Sequence, residues 1–388
     1  MLKTFKKGGV HPHENKFSAN SPIQPIDPPQ KIFVPLSQSL GAPSKPVVKK
    51  GDEVKAGDIL ATGESFISSY LHSPVSGKIE NIDDFIDVSG YRKPAIFIEV
   101  TGSEWNASVN LSDELKEDIT LEGASIIQKV KEMGVVGLGG ATFPTHVKLM
   151  IPQGKKAELL IINGVECEPY LTSDHRLMLE KPREFITGTR ILMKALGVTR
   201  AIIGIENNKP DAINLLSKHA SSYPGIEVCP LRVKYPQGGE KQLIQALTGR
   251  EVPSGKLPIE VGCIVQNVGT AFAVYQAVQK NRPLVERVVT VTGTNVLHPS
   301  NFLVKIGTPV SALLEKAGWQ PEKAGKVIAG GPMMGKALLN ADVPIVKGTS
   351  GILVLNGKES LRPKVQPCIR CAQCVSACPM GLEPYYLA

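Results

Sequence analysis

The stretch Glu158-Leu159-Leu160-Ile161-Ile162-Asn163-Gly164-Val165-Glu166-Cys167-Glu168-Pro169-Tyr170 decides the fold class. Its short apolar run reads as a buried strand. That strand delivers Asn163 to Tyr170 at its carboxyl end, where open α/β sheets bind ligands. A second buried strand spans 201–205 and ends at Glu206-Asn207-Asn208, and a third spans 228–233. The third leads into Tyr235-Pro236-Gln237-Gly238-Gly239-Glu240-Lys241. Segments 182–196 and 209–221 have helical character, and strands alternating with helices argue a mostly parallel sheet. Ile264-Val265-Gln266-Asn267-Val268-Gly269-Thr270 precedes a helix expected near Ala271. A strand, a Gly-Thr turn and a helix N-terminus make a phosphate site.

Upstream, residues 119–136 read as a helix, with Ile126, Ile127, Val130 and Met133 on one face. It runs into Gly134-Val135-Val136-Gly137-Leu138-Gly139-Gly140-Ala141-Thr142-Phe143-Pro144-Thr145-His146-Val147-Lys148. Glycines remove the Cβ atoms that keep a ligand off the backbone, so a ring or phosphate can rest on the chain. A Gly-rich loop is a weak signal alone; the basic Lys148 and the motifs after it strengthen it.

The first 30 residues carry Gly8, Gly9, Pro12, Pro22, Pro25, Pro28 and Pro29, so neither a helix nor a central strand suits them. They read as an extended arm lying against the rest of the chain. His11 and His13 lack a third ligand and read as surface residues. From 31 to 103 short β-rich runs alternate with Gly-Asp turns, which predicts a compact all-β unit. The pattern Val47-Val48-Lys49-Lys50-Gly51-Asp52, followed by Ser73-Pro74-Val75-Ser76-Gly77, resembles the lipoyl/biotinyl carriers. Those carriers need a lysine at the hairpin tip, yet no lysine lies between Lys55 and Lys78, and Phe66-Ile67 occupy the tip. A structural or docking role is therefore expected, without a swinging arm.

Residues 288–314 suggest a small β-grasp unit, and Gly330-Gly331-Pro332-Met333-Met334-Gly335 reads as a tight turn or a second phosphate loop. Near the end stand Cys368, Cys371, Cys374 and Cys378, spaced two, two and three residues apart and closed by Pro379. This is the bacterial ferredoxin spacing for a [4Fe–4S] cluster, with zinc as the alternative. The last cysteine is expected at the start of a helix. Cys167, Cys229 and Cys263 stand apart and read as small buried hydrophobes.

At 388 residues, two or three domains are expected, and a hydrophobic share of 42% is that of an ordinary globular chain. No stretch approaches the roughly 18 apolar residues that span a bilayer. The net charge of +8 invites a nucleic-acid reading, but the cations are scattered and few aromatics lie among them to stack bases.

Four motifs in order make a family resemblance specific. Residues 137–149 look like the G-x-G-G-x-x-F-P-x-x-x-K loop of the flavin-bearing, NADH-oxidising subunit of respiratory complex I. Asn163 to Pro169 is similar to its N-x-x-E-x-E-P, Tyr235 to Glu240 to its Y-x-x-G-x-E, and Gln266 to Thr270 to its Asn-rich turn. With the arm, the barrel and the Cys run, the chain resembles the RnfC subunit of the Rnf-type ion-translocating electron-transport complex. The resemblance implies non-covalent FMN, its phosphate near Asn267 and Thr270 and its ring near Gly137, Gly139, Gly140 and Asn163. Lys148 would face phosphates, Phe143 the adenine of NAD(H), and Glu166, Glu168 and Glu240 the nicotinamide end, with Gly238 beside the cofactor. Gln266 and Val165 depart from the family's Asn and acidic residue.

The expected architecture is multidomain α/β. It comprises an arm (1–30), a lipoyl/biotinyl-like β unit (31–103), a parallel-sheet FMN/NAD(H) domain (104–286), a β-grasp unit with its following strand (287–358) and a ferredoxin-like iron–sulfur segment (359–388). The implied role is a peripheral subunit on the cytoplasmic face of the bacterial inner membrane, working with membrane-embedded and iron–sulfur partner subunits and not with nucleic acid. It would exchange hydride between NAD(H) and FMN and pass single electrons to [4Fe–4S] clusters, two in a full-length protein. Cys378 would complete the first cluster or serve a second whose further ligands lie outside this chain. The alternative is a non-catalytic relay and scaffold.

Overall fold

The apolar run Leu159–Asn163 forms an inner strand of a four-stranded parallel sheet in the computed structural model, which describes residues 2–386. The strand order is Ile226–Leu231, Ala201–Glu206, Leu159–Asn163 and Cys263–Asn267. Alternate side chains serve opposite faces. Leu160 and Ile162 join Val130, Phe185 and Leu192 in the larger core, while Leu159 and Ile161 pack with Leu243, Ile244 and Leu247. A sheet covered on both faces explains why the strand is apolar without alternation.

The helices Pro182–Leu196 and Val268–Lys280 cross backbone to backbone at Gly188. A Cβ there would lie 1.9 Å from the Ala271 carbonyl oxygen. The helix expected from 119 is shorter, Gly123–Glu132, because Gly134 at φ +63° terminates it. The helix expected near Ala271 begins three residues earlier, since the Asn267 side chain caps it.

The all-β unit is two facing sheets. One runs Lys31–Pro35, Arg92–Gly102, Ser76–Ile86, Glu53–Val54; the other runs Lys45–Pro46, Ile59–Thr62, Leu71–His72. Ile32, Leu60, Leu71, Ile79 and Ile98 fill the space between them.

The arm is integral to the fold. Phe5 is buried in the second core, and Ile23–Pro25 forms a parallel edge strand beside Ser300–Lys305. That six-stranded sheet continues through Glu286–Thr292, Gly351–Asn356, Ala324–Ala329 and Lys336–Ala337. The proline at Pro25 is tolerated at the sheet edge, where a missing N–H costs no ladder bond. The β-grasp unit expected at 288–314 is thus completed by strands from both ends of the chain.

Lys347 fastens the parts together. Its buried Nζ donates to the carbonyls of Tyr70 in the all-β unit, at 2.8 Å, and of Gly134 just past the helix Gly123–Glu132, at 2.6 Å. A Cβ at Gly134 would lie 2.3 Å from the Tyr70 oxygen, so glycine is required there. Among the described residues no helix is long and apolar enough to cross a membrane.

Gly188→Ala should destabilise the protein by about 1–3 kcal/mol, since neither backbone can yield without parting the helices. Urea titration would read this as a lower midpoint, and an unchanged midpoint would refute the close contact.

Candidate functional site

Asn163 and Asn267 are register partners at the carboxyl ends of adjacent strands. Both open onto a cavity of about 570 Å³, within the range of small-molecule sites. The Gly-rich loop crosses this opening. Its closure is local: the Gly137 N–H donates to the Phe143 carbonyl at 2.9 Å. Its anchorage is long-range, because the Leu138 N–H donates to Thr270 Oγ1 at 2.9 Å. Gly137, Gly139 and Phe143 line the cavity, and a Cβ on Gly139 would sit 3.3 Å from the Asn267 Cβ. Gly140 does not line it; with φ +125° it turns the loop. Thr142 takes φ +51°, an unfavourable conformation for a non-glycine residue and a mark of a constrained loop.

Asn163 donates to the Gly238 carbonyl at 2.8 Å, and both residues line the cavity. Asn267 is fully engaged. Its Oδ1 accepts the N–H groups of Gly269 and Thr270, and its Nδ2 donates to Asp174 at 2.6 Å. A phosphate at this helix N-terminus would therefore share amides that Asn267 already caps. Lys148 meets Glu240 at 2.7 Å on the cavity wall, both partly exposed. Gln266, which departs from the resembled family's asparagine, is a buried lining residue whose Nε2 has no hydrogen-bond partner. An unpaired buried donor at a cavity wall fits an acceptor-rich ring such as a flavin. The glycine shelf fits it equally, since no side chain stands on Gly137 or Gly139.

Glu166 and Glu168 do not line the cavity. Glu166 accepts the backbone N–H groups of Asp174 (2.8 Å) and His175 (3.2 Å), so it caps the helix Ser173–Glu180. Its own φ is +45° and that of Tyr170 is +71°, each costing about 1–3 kcal/mol. Lys16 of the arm holds this strained loop by donating to the carbonyls of Glu166, Glu168 and Leu171 at 2.7–2.9 Å. Burial brings the Lys16 pKa down to about 8. Glu168 accepts from the Met333 N–H at 3.2 Å, its other oxygen is buried without a partner, and burial raises its pKa. The Gly330–Gly335 turn therefore seats a carboxylate. The nicotinamide-facing position expected of both glutamates does not match this geometry, because strand-end loops turn side chains in ways that spacing does not encode.

The cavity also takes Leu40 and Phe66 from the barrel, and Leu257 from a loop that carries no motif in the sequence. The apolar Phe66-Ile67 pair at a hairpin tip was the available signal.

Cys368, Cys371 and Cys374 are exposed, and Cys378 is partly buried. Among the described residues no three His, Cys, Asp or Glu side chains converge as a metal cage. Such loops depend on the metal for their final shape. Cys374 lies within the helix Gln373–Ala377 and Cys378 just past its end, which corrects the expectation that Cys378 would start a helix. The donor set still suits iron. The backbone N–H groups of Leu382, Met380 and Gly381 approach the Cys378 sulfur and lower its pKa, and such bonds stabilise cluster thiolates. Cys229 and Cys263 are buried, as expected, and burial raises the Cys167 thiol to about 11.

Asp174 gives the site a pH signature. Burial first, then the charge of Glu166, pushes its pKa from 3.8 to about 7, against the Asn267 bond. The folded state thus holds this proton more tightly than the unfolded chain. The associated stability is complete below about 3.8 and is lost as pH rises through about 7. Thermal unfolding of Asp174→Asn should show a smaller loss of stability across that window than the wild type; parallel profiles would contradict the assignment.

Comparison with known proteins gives this geometry a family. The model described as the Nuo51 FMN-binding domain matches residues 130–276. The RnfC barrel sandwich hybrid domain matches 3–103, and the SLBB domain matches 288–337. A Clostridium ljungdahlii protein, named as the C subunit of a proton-translocating ferredoxin:NAD(+) oxidoreductase complex, is 47% identical over 390 residues, covering 100% of this chain and 84% of that protein. An Acetobacterium woodii protein, named as the C subunit of a Na(+)-translocating ferredoxin:NAD(+) oxidoreductase complex, is 42% identical over 99% of this chain and 86% of its own length. A chain of an NAD+-reducing [NiFe]-hydrogenase in the H2-reduced state aligns with TM-score 0.53 at 21% identity. The alignment covers 61% of this chain and 47% of that one, a likeness of fold. With relatives this similar over its whole length, the chain belongs to the RnfC family, the C subunits of ion-translocating ferredoxin:NAD(+) oxidoreductase complexes.

Proposed function

We propose that this chain is the peripheral subunit that exchanges hydride between NAD(H) and FMN and passes single electrons to [4Fe–4S] clusters, while partner subunits couple this to ion movement. The observation that carries the reading is the strand-end cavity, with its bare glycine shelf and the unpaired amide of Gln266. Bound FMN would supply the conversion between two-electron hydride chemistry and one-electron transfer.

The protein's part is positioning. Gly137 and Gly139 let a planar ring lie against the backbone, and Gln266 offers it a hydrogen bond. Lys148 is partly exposed and paired with Glu240, so it can turn to a phosphate without leaving an uncompensated buried charge. Phe143 adds an aromatic wall. Glu166 acts at one remove: it caps the helix bearing Asp174, and Asp174 in turn orients Asn267. Glu168 acts as a seat for the Met333 turn.

Cys368, Cys371 and Cys374 would hold one [4Fe–4S] cluster as thiolates, with Cys378 as its fourth ligand or as a ligand of a second cluster. The cytoplasmic face of the inner membrane suits such thiolates, which reducing surroundings preserve.

FMN titration of the anaerobically purified protein should quench flavin fluorescence, and NADH should then bleach the bound flavin. An apoprotein that takes up no FMN would sink the reading, and iron without NADH:ferricyanide turnover would favour a relay. Gly139→Val should weaken FMN binding by at least about tenfold, because the new side chain fills the shelf. Cys371→Ser should lower iron content while leaving NADH-dependent bleaching in place.

A further inference from the structure

The barrel turns Phe66 toward the rim of the flavin-type cavity, although it belongs to a different domain. Phe66 is 64% exposed, a large aromatic side chain at a hairpin tip that gains little from its own domain. It lines the same cavity as Gly139 and Asn267. The tip is held there by several contacts. The Leu40 N–H donates to the Thr142 carbonyl of the Gly-rich loop at 3.3 Å. Buried His146, just past that loop, stands beside the Phe66 backbone. Gly41 sits at φ +101°, and a Cβ there would lie 2.1 Å from the Ile67 oxygen, so only glycine lets the Leu40 loop close on the tip. Four residues further on, Lys347 pins Tyr70 to Gly134.

The cavity is graded from its floor to its rim. The floor is buried and polar, with Gln266 at 3% exposure. The rim is open and apolar: Leu40, Phe66, Met150 and Leu257 are 47–67% exposed. These four side chains are uncharged, and the charged lining pair Lys148–Glu240 is less exposed than they are, so the outermost edge suits a neutral planar ring better than a phosphate. A dinucleotide whose nicotinamide meets a flavin held on the glycine shelf must lead its other ring outward past these residues.

We propose that Phe66, with Leu40 beside it, forms the outer wall of the dinucleotide site and stacks on the adenine of NAD(H), adding a second aromatic side chain to Phe143, which the family resemblance alone assigns to that ring. The inference rests on the hydride-exchange reading above and extends it: the barrel, which lacks a carrier lysine, contributes a substrate-binding residue in place of a swinging arm. Binding energy is thereby drawn from the non-reacting half of the substrate.

The test uses the flavin-loaded full chain with ferricyanide as acceptor. Phe66→Ala should raise the KM for NADH about tenfold with kcat retained, as loss of one base–aromatic stack predicts. Phe66→Trp should restore the wild-type KM. With reduced nicotinamide mononucleotide, which has no adenine, Phe66→Ala should bring no tenfold penalty. A KM for NADH unchanged in Phe66→Ala, or an equal penalty with the mononucleotide, would overturn this inference alone and would point to the rim as a protein contact. No NADH turnover by the flavin-loaded wild type would overturn both readings.

Discussion

One buried ammonium holds the cavity's two sides in register. Lys347 reaches from the segment before the last sheet strand to carbonyls of the barrel and of the flavin-type domain, with the Ser69 hydroxyl at 3.2 Å. Among the described residues no carboxylate pairs with it, so carbonyl dipoles compensate the charge, and burial pulls its pKa from 10.5 to about 7. The same burial, with the Lys347 charge behind it, drives nearby His72 down to about 3. The Lys347 carbonyl in turn accepts from Arg287, itself buried beside Asp174. A cation with acceptors on two domains permits one arrangement of them, because every displaced acceptor would leave it unsatisfied. Without that arrangement Phe66 would have no cavity to face.

A second buried lysine does the same at smaller scale. Lys16 gathers three carbonyls of the loop after Leu159–Asn163 and so stabilises the left-handed backbone at Glu166 and Tyr170. The strain has a structural consequence. It turns Glu166 into the cap of the helix that bears Asp174, and Asp174 orients Asn267 at the cavity floor. The carboxylate therefore reaches the site through two hydrogen-bonded residues.

The arm touches both the loop after Leu159–Asn163 and the cysteine segment. Lys16 touches the flavin-type loop, while the Gly9 N–H donates to the Ala377 carbonyl at 2.8 Å, beside Cys378. Gly8 allows this approach, since a Cβ would lie 2.6 Å from the same oxygen. A proline- and glycine-rich segment suits such a strap: it lies along a surface and lends backbone donors without needing a core of its own.

The sequence by itself determined what is local. The run at 159–162 declared a doubly covered strand, the Gly137–Lys148 loop declared a backbone platform, and the cysteine spacing set four sulfurs within eleven residues. Each signal lies within about a dozen residues, the range over which periodicity and turn chemistry act. Tertiary structure alone decided the rest: that Ile23–Pro25 closes a sheet with Ser300–Lys305, that Glu166 faces a helix N-terminus, that Gln266 is left unpaired at the cavity, and that Phe66 crosses from one domain to another's site. These outcomes depend on where residues far apart in the chain meet. Packing and the satisfaction of buried polar groups settle that, and no local pattern encodes it.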